Sequence, residues 1–294
     1  MRNKLNSKFM IFGLVLVVTM GMLAGCTGGV EEASAEAADS ETGLKGNVVL
    51  VGSTSVTPVA QKLAEAFMKA NSNVKVDVQG VGSTAGVKAS NDGSAGIGMA
   101  SRNLKDAEKE LGLDEHIICY DGIAVVTNPS NPVKALTMDQ VAAIFKGEIT
   151  NWNEIGGEDK EILVVSREAG SGTRGAFEGI TKVQVKNENG KKVSAVREDA
   201  LIAEGNGAVK ANVASKAYAI GYISLSYIDE TVSGVEVDGA QPTVEAILAD
   251  EYKVSRPFLM LTKGSNDEVT QAYLDFVFSA EGQAIVAEKN IPVK

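Results

Sequence analysis

The sequence predicts an α/β fold with largely parallel sheets, and two observations carry this prediction. Short apolar runs of strand length recur along the chain, as at residues 48–51 and 74–78. Between these two runs, Leu63 and Phe67 share one face of a helix that begins near Pro58, a residue favoured in the first helical turn. Strands that alternate with helices are typical of α/β proteins. A chain of 294 residues at 44% hydrophobic suffices for one large or two medium domains.

The later elements continue this alternation. Further strands are expected at 97–100, 117–127, 162–165, 220–224 and 257–262, and further helices at 138–145, 208–216, 266–278 and 280–289. Thr137 is expected to cap the helix at 138–145, because its hydroxyl can accept a hydrogen bond from a free backbone N–H of the first turn. The four lysines between residues 182 and 192 are expected in a polar hairpin or loop.

The N-terminal segment has the pattern of a secretory signal. Three basic residues among the first eight precede a nearly unbroken apolar stretch at 9–23. The following Leu23-Ala24-Gly25-Cys26 resembles a bacterial lipobox, which implies removal of residues 1–25 and a diacylglycerol thioether on Cys26, with further acylation by a chain such as palmitate. Residues 26–45 would then be a flexible tether, since they contain no aromatic side chain. The alternative is a plain signal peptide or anchor that happens to contain a cysteine.

The charge balance excludes several partners. The chain has 28 Lys and Arg against 38 Asp and Glu, a formal net charge of −10, and loss of residues 1–25 would remove three more cations. An acidic surface does not suit nucleic acid or anionic lipid headgroups. A net negative charge also gives the protein no overall electrostatic attraction for anions. Any anion site therefore has to depend on groups in its immediate surroundings.

The common enzyme motifs are absent. The chain has a single histidine, His116, so a Ser-His-acid triad has only that one candidate base, in a charged stretch. The turn at 52–58 lacks the lysine of a phosphate-binding P-loop. There is no Cys/His cluster for a metal. A serine–lysine pair remains open, although none of the Gly-Ser turns begins a Ser-x-x-Lys motif. We therefore expect no enzyme activity, no metal and no cofactor.

Three turns share one composition. Residues 52–55 (GSTS), 82–86 (GSTAG) and 170–173 (GSGT) each follow an apolar strand and precede a helical segment. Glycine lets backbone N–H groups converge, the hydroxyls add donors, and the helix start supplies free N–H groups and the positive end of its dipole. Arg167, four residues before Ser171, adds a planar fork of donors suited to a tetrahedral oxyanion. These turns predict an anion site, with ordinary helix capping as the alternative.

Eight segments carry a family resemblance that covers residues 46–293. They are VGSTSVTPVAQKLAEAF, VQGVGSTAGVKA, IGMASRNL, DGIAVVTNPSNP, LTMDQVAAIFKGEITNW, REAGSGTRGAFE, AIGYISLSY and RPFLMLTKG, in this order. In these segments the sequence resembles the phosphate-binding lipoproteins of bacterial ABC-type phosphate uptake systems.

The resemblance implies a two-lobed, type II periplasmic-binding-protein-like fold, each lobe a central sheet flanked by helices. Domain one would comprise residues 46–121 and 256–294, and domain two residues 122–255. Two hinge crossings are expected near 120–124 and 253–257.

The resemblance also implies the ligand groups. The phosphate-binding residues carried over are Thr54, Ser55, Ser83, Arg167, Ser171, Gly172 and Thr173, with Thr84 less secure. The implied activity is extracytoplasmic binding of inorganic phosphate, closure of the lobes over it, and delivery to the membrane subunits of an ABC transporter by a lipid-anchored monomer. The alternatives are a receptor for another tetrahedral oxyanion, such as sulfate, and an adhesion or signalling module that reuses the fold.

One position departs from the family pattern. Many members have an aspartate after the Gly-Ala-Ser of the third strand, where this chain has Arg102, which cannot accept a hydrogen bond from a phosphate proton. We count Arg102 among the expected phosphate-binding residues, as a second cation at the cleft; the alternative is that it pairs elsewhere and that another carboxylate accepts the proton. Asp121 is the first candidate for that carboxylate and Glu168 the second.

Overall fold

A computed structural model describes residues 43–293. Its strands are β1 (Gly46–Gly52), β2 (Val74–Gly80), β3 (Ile97–Ala100), β4 (Asp114–Thr127), β5 (Ala135–Leu136), β6 (Leu163–Arg167), β7 (Gln184–Lys186), β8 (Lys192–Ser194), β9 (Leu201–Ala203), β10 (Ala219–Ser224), β11 (Ser233–Gly234), β12 (Glu236–Val237), β13 (Ser255–Thr262) and β14 (Ile291–Pro292). Its helices are α1 (Thr57–Ala70), α2 (Ser83–Asp92), α3 (Asp106–Lys109), α4 (Met138–Lys146), α5 (Gly172–Ile180), α6 (Gly205–Ser215), α7 (Val244–Leu248), α8 (Glu268–Phe278) and α9 (Ala280–Val286), with 3₁₀ turns at Trp152–Ile155 and Leu225–Tyr227.

The main sheet has the strand order β2-β1-β3-β13-β4-β10-β6-β9, with β11 and β14 added on β4. The α/β class is thereby confirmed, but the expectation of largely parallel sheets holds only toward the two ends. There β1 pairs in parallel with β2 and β3, and β6 pairs in parallel with β10 and β9. In the centre, β4 and β13 run antiparallel to their neighbours. The reason is that the chain, after it has formed β5 to β12, comes back as β13 and runs beside β4 in the opposite direction.

Strand β4 joins the two ends of the sheet. Its first part pairs with β13 as far as Gly122, and its last part, from Ile123, pairs with β10. At the changeover, Asp121 is directly opposite Arg256. The backbone N–H of Ile123 also donates to the carbonyl of Val254 at 2.8 Å, so both passages of the chain are tied together here.

The apolar core divides at the same place. One cluster is formed by residues from β1, β2, α1, α8 and the start of β4, including Leu50, Phe67 and Tyr273. Another is formed by residues between 123 and 254, including Phe145 and Tyr222. The expected domain boundaries fall between these clusters. That the two clusters are the cores of two lobes that move relative to each other stays a prediction.

Local signals located most helices correctly. The Thr137 cap of α4 is confirmed, because its hydroxyl accepts from the N–H of Gln140 at 3.1 Å. The lysine-rich segment forms the antiparallel hairpin of β7 and β8, one of the two forms expected for it. Helix α6 begins at Gly205, three residues earlier than predicted. The Gly-Asn-Gly at its start has poor helix propensity, and the tertiary contacts of Asn206 override that propensity.

Within residues 43–293, none of the helices combines the length and apolarity needed to cross a membrane. The predicted signal peptide, Cys26 and most of the predicted tether lie outside the described residues.

Candidate functional site

The three predicted turns lie together. The turn after β1 carries Ser55, which is buried, and the turn after β6 leads into α5, which carries Thr173, also buried. Their hydroxyl oxygens are 2.7 Å apart, although the residues are 118 positions apart in the chain. The third turn joins them, because the N–H of Thr84 donates to the carbonyl of Gly170 at 3.2 Å. The expectation that these turns belong to one site therefore has a direct geometric basis.

The Ser55 hydroxyl is the centre of this contact. Besides Thr173, the side-chain amide of Asn206 donates to it at 2.9 Å, and the Nη2 of Arg256 donates to it at 3.1 Å. All four side chains are buried. Residues from β13, α6 and both turns thus meet at one oxygen atom.

Arg167 is fully buried at the end of β6, with 1% of its surface exposed. Its Nε and Nη2 form a two-point ion pair with Glu168, at 2.9 and 2.8 Å. Its Nη1 donates to the Asn206 amide oxygen at 3.2 Å, and Nη2 donates to the Thr54 hydroxyl at 3.2 Å. The guanidinium therefore spans from β6 to the turn after β1.

Helix α5 begins at the site. Ser171 is its N-cap, and its hydroxyl accepts from the N–H of Arg174 at 3.1 Å. A Cβ added to Gly172 would lie 2.1 Å from the Ser83 Oγ and 2.7 Å from the Ser101 Oγ, so only glycine permits this approach. The first residue of helix α5 therefore lies directly against a cluster of serine hydroxyls.

That cluster consists of three buried serines. The Ser53 hydroxyl donates to the Ser101 hydroxyl at 2.8 Å, and Ser83 accepts from the N–H of Ser101 at 3.1 Å. Ser83 is the first residue of α2. The sequence predicted a role for Ser83 but missed Ser53 and Ser101, although both lie in segments that carry the family resemblance.

Arg102 adopts the second of its two expected arrangements, in that it pairs elsewhere. Its Nη1 and Nη2 donate to the two carboxylate oxygens of Glu108 at 2.6 and 2.8 Å. Burial raises the pKa of Glu108, but the hydrogen bonds from Arg102 and from the backbone N–H of Lys105, together with the positive charges of these two residues, outweigh it and leave that pKa below its usual value. Arg102 still reaches the edge of the site, where Nη2 is 3.4 Å from the Thr84 hydroxyl.

Asp121 is fully buried, and Arg256 links it to the Ser55 hydroxyl by donating to both. Its Oδ2 accepts from Arg256 at 2.8 Å, and its Oδ1 accepts from Ser224 at 3.0 Å and Asn290 at 3.2 Å. Burial raises the pKa of Asp121 to about 6, an effect that Arg256 partly offsets. Both oxygens of this candidate proton acceptor therefore already accept hydrogen bonds from the protein.

Two residues of the site were missed by sequence reasoning. Arg256 is 3% exposed and Asn206 is fully buried, and both touch Ser55. Asn206 lies between two glycines just before the predicted helix 208–216, and Arg256 lies in the predicted hinge crossing at 253–257 and begins the segment RPFLMLTKG, but neither was assigned a role in the site. Their positions at the hinge crossing and at a helix start were the available signals. Across residues 43–293 there is no cluster of His, Cys, Asp and Glu that could hold a metal ion.

The fold and the site together define a class of protein. Hydroxyls, helix starts and buried guanidinium groups converge from both ends of one sheet, at the level where the chain passes twice between two apolar cores. This arrangement is typical of a solute-binding protein, and most of the converging groups are donors suited to an anion.

Comparison with known proteins agrees with this class. The model of the PBP superfamily domain matches residues 33–281. A phosphate-binding protein PstS of Bacillus subtilis is 30% identical over 291 residues, 95% of this chain and 93% of the relative. A Clostridium perfringens protein, assigned as the substrate-binding component of a phosphate ABC transporter and solved with bound phosphate, is 47% identical with a TM-score of 0.80, over 85% of this chain and all of that one. An ABC-type phosphate transport receptor from Vibrio cholerae is 37% identical with a TM-score of 0.70, over 84% and 100%.

The chain therefore belongs to the PBP superfamily, in the family of bacterial phosphate-binding solute receptors. The type II periplasmic-binding-protein-like fold that the sequence implied is confirmed by these matches.

Proposed function

We propose that this protein binds inorganic phosphate outside the cytoplasm and delivers it to an ABC transporter. The observation that carries the proposal is the direct contact of Ser55 and Thr173, from turns at opposite ends of the sheet, beside the buried guanidinium of Arg167. Relatives named for phosphate binding and phosphate ABC transport support the choice of ligand.

The chemistry of the groups matches a tetrahedral oxyanion. A guanidinium, hydroxyls and helix-start N–H groups are all hydrogen-bond donors, and bonds to a charged acceptor are shorter and stronger than neutral ones. An anion that enters between Ser55 and Thr173 would replace their mutual hydrogen bond with two bonds to its own oxygens. We assign the ligand contacts to Thr54, Ser55, Ser83, Arg167, Ser171, Gly172 and Thr173.

Binding by this set would require two lobes to close. Thr54, Ser55 and Ser83 belong to the proposed domain one (residues 46–121 and 256–294), and the group from Arg167 to Thr173 belongs to domain two (122–255). The crossings at 120–124 and 253–257 contain the hinge. A ligand bonded by both domains favours the closed form by the difference in its affinity for the two forms.

Selectivity against sulfate needs a group that accepts the proton of phosphate. We propose Asp121 for this role, with Glu168 as the next candidate, because Arg102 is paired with Glu108. Each of the two candidates is now bonded to an arginine. A carboxylate that already accepts such bonds rejects sulfate less sharply than a free one, which is why the sulfate receptor is retained as the rival function.

The position in the cell follows from the N-terminal pattern. We propose that Cys26 is lipidated and holds the protein as a monomer on the outer face of the cell membrane. A single acyl chain binds membranes only marginally. A diacylglycerol with a further acyl chain provides more than one chain and so anchors the protein more firmly.

Calorimetric titration of ligand-stripped protein with phosphate, and separately with sulfate, tests the function. We expect one phosphate per chain and much weaker sulfate binding. Tighter sulfate binding would establish the rival receptor. Binding of neither anion would contradict the transport function and favour an adhesion or signalling role for the fold.

A further inference from the structure

Asn206 is a buried amide whose hydrogen-bonding capacity is fully used. Its oxygen accepts from the Arg167 Nη1 at 3.2 Å and from the backbone N–H of Ser224 at 3.0 Å. Its nitrogen donates to the Thr54 hydroxyl at 3.2 Å and to the Ser55 hydroxyl at 2.9 Å. Two acceptor sites and two N–H donors are all that a side-chain amide offers.

The orientation of this amide is fixed by its partners. A backbone N–H and a guanidinium can only donate, so the atom that faces them has to be the oxygen. The NH₂ group therefore faces the two hydroxyls. A reversed amide would place two donors against two donors and leave all four groups unsatisfied in a buried site.

The amide in turn determines what the two hydroxyls do. A hydroxyl has two acceptor lone pairs and one proton to donate. Ser55 accepts from Asn206 and from the Nη2 of Arg256, and Thr54 accepts from Asn206 and from the Nη2 of Arg167. With both lone pairs engaged, each hydroxyl has only its proton left to offer.

We propose that Asn206 is a positioning residue that holds the hydroxyls of Thr54 and Ser55 as hydrogen-bond donors toward the ligand. The two arginines complete the arrangement by occupying the second lone pair of each hydroxyl. The proton of Ser55 then points toward Thr173 at 2.7 Å, the place that the proposed function assigns to the anion. This side of the site therefore suits a ligand oxygen without a proton and rejects a group that donates.

The inference rests on the proposed function, since the ligand is the anion assigned there. Asn206 need not touch that anion, because its four bonds are to protein groups. Asn206 determines the direction in which the hydroxyl protons of Thr54 and Ser55 point. A side chain of the same shape that accepts hydrogen bonds from these hydroxyls, instead of donating to them, would reverse that direction.

Asn206→Asp provides that reversal. An ionised carboxylate at this position accepts from both hydroxyls and turns their protons away from the anion, so phosphate affinity at pH 7.5 should fall about tenfold or more. A protonated carboxyl can donate again, so the deficit relative to wild type should shrink as the pH is lowered toward 5. The charged groups around this position are Arg167, Arg256, Glu168 and, through Ser224, Asp121. These charged groups are present in the wild-type protein as well. The ratio of the phosphate affinities of the wild-type protein and the variant at each pH therefore reports the effect of residue 206.

Asn212→Asp is the matched control. Asn212 lies on the same helix, where its amide nitrogen donates to the carbonyl of Ala208 and its oxygen accepts from Lys216. This variant should bind phosphate as wild type does at every pH. Phosphate titrations of all three proteins, with melting curves recorded without ligand, provide the comparison.

The inference would be overturned if the phosphate affinity of Asn206→Asp stayed below that of wild type by the same factor from pH 7.5 to 5. A structural defect or a fixed loss of contact would give that result, because neither is relieved by protonation of the carboxylate. Should this variant fail to fold, Thr54→Val and Ser55→Ala test the same claim from the hydroxyls. Each should weaken phosphate binding severalfold, and unchanged affinity in both would overturn it. Absence of phosphate binding by wild type would instead contradict the proposed function itself.

Discussion

Asp121 and Arg256 form a buried ion pair across adjacent antiparallel strands, with 2.8 Å between Oδ2 and Nη2. The pair lies where β4 and β13 carry the chain between the two apolar cores, and the same Nη2 reaches the Ser55 hydroxyl at 3.1 Å. It therefore connects the proposed hinge to the proposed ligand site. Arg256 Nε and Nη1 have no hydrogen-bond partner within residues 43–293, so Asp121 carries most of the compensation for this buried charge.

The first prediction concerns stability and pH. Burial raises the pKa of Asp121 to about 6 from 3.8, so the folded protein holds this proton more tightly than the unfolded chain does. The contribution of Asp121 to the free energy of unfolding is then largest below pH 4 and declines as the pH rises to about 6. Asp121→Asn should flatten that part of the curve of melting temperature against pH. Equal slopes in both proteins between pH 4 and 6 would show that Asp121 does not titrate there.

The second prediction concerns Arg167. Arg167→Gln should weaken phosphate binding by about 2–5 kcal/mol, because it removes a buried charge that faces the anion. Arg197→Gln is the control, since Arg197 is also mostly buried and paired, with Asp199, but packs near the start of β6 while Arg167 is at its end. Calorimetry should show normal affinity for the control. Similar losses in both would indicate a general effect of removing an arginine from this domain.

A third prediction uses two glycines of helix α5. Gly172→Ala should abolish phosphate binding, because the added Cβ would lie 2.1 Å from the Ser83 Oγ and hold the turns apart. Gly179→Ala on the same helix meets nothing within 4 Å and should raise stability by up to about 1 kcal/mol with unchanged affinity. Affinity and melting temperature of both variants provide the measurement. Normal phosphate binding by Gly172→Ala would place the anion elsewhere.

The fourth prediction concerns the rate of binding. A cavity of about 860 Å³ beside the site is lined by Arg102, Lys105, Lys186, Lys191 and Lys192, and Asp106 is the one acidic residue among its lining side chains within residues 43–293. Because the whole chain carries −10, this local positive field should speed the approach of an anion. Replacing the four lysines by Gln should slow phosphate association and reduce its salt dependence in stopped-flow measurements. Lys69→Gln with Lys75→Gln, which lie outside the cavity, should change neither, and an unchanged rate in the fourfold variant would exclude steering by this cavity.

A fifth prediction concerns the anchor. Cys26→Ala should release the protein from the membrane fraction, because it removes the sulfur that would carry the lipid. Fractionation followed by detection of the protein measures this. If the variant stays in the membrane fraction, the apolar segment at 9–23 is itself the anchor.

Local patterns in the sequence predicted much of the proposed site. The three Gly-Ser turns and Arg167 are recognisable because helix starts and glycine turns depend on a few adjacent residues. The contacts of Asn206 and Arg256 with Ser55 join positions 151 and 201 residues apart, so no local pattern encodes them. The partner of Arg102 was missed for a different reason: Glu108 is only six residues away, but the short helix α3 that presents it has no clear signal in the sequence.

A crystal structure of the protein with phosphate is the decisive test of whether the anion binds between Ser55 and Thr173 beside Arg167. We expect one anion whose oxygens lie within hydrogen-bond distance of the Ser55 Oγ, the Thr173 Oγ1 and the Arg167 guanidinium, with the two hydroxyls no longer bonded to each other. An anion bound elsewhere, with the 2.7 Å contact of Ser55 and Thr173 intact, would contradict it.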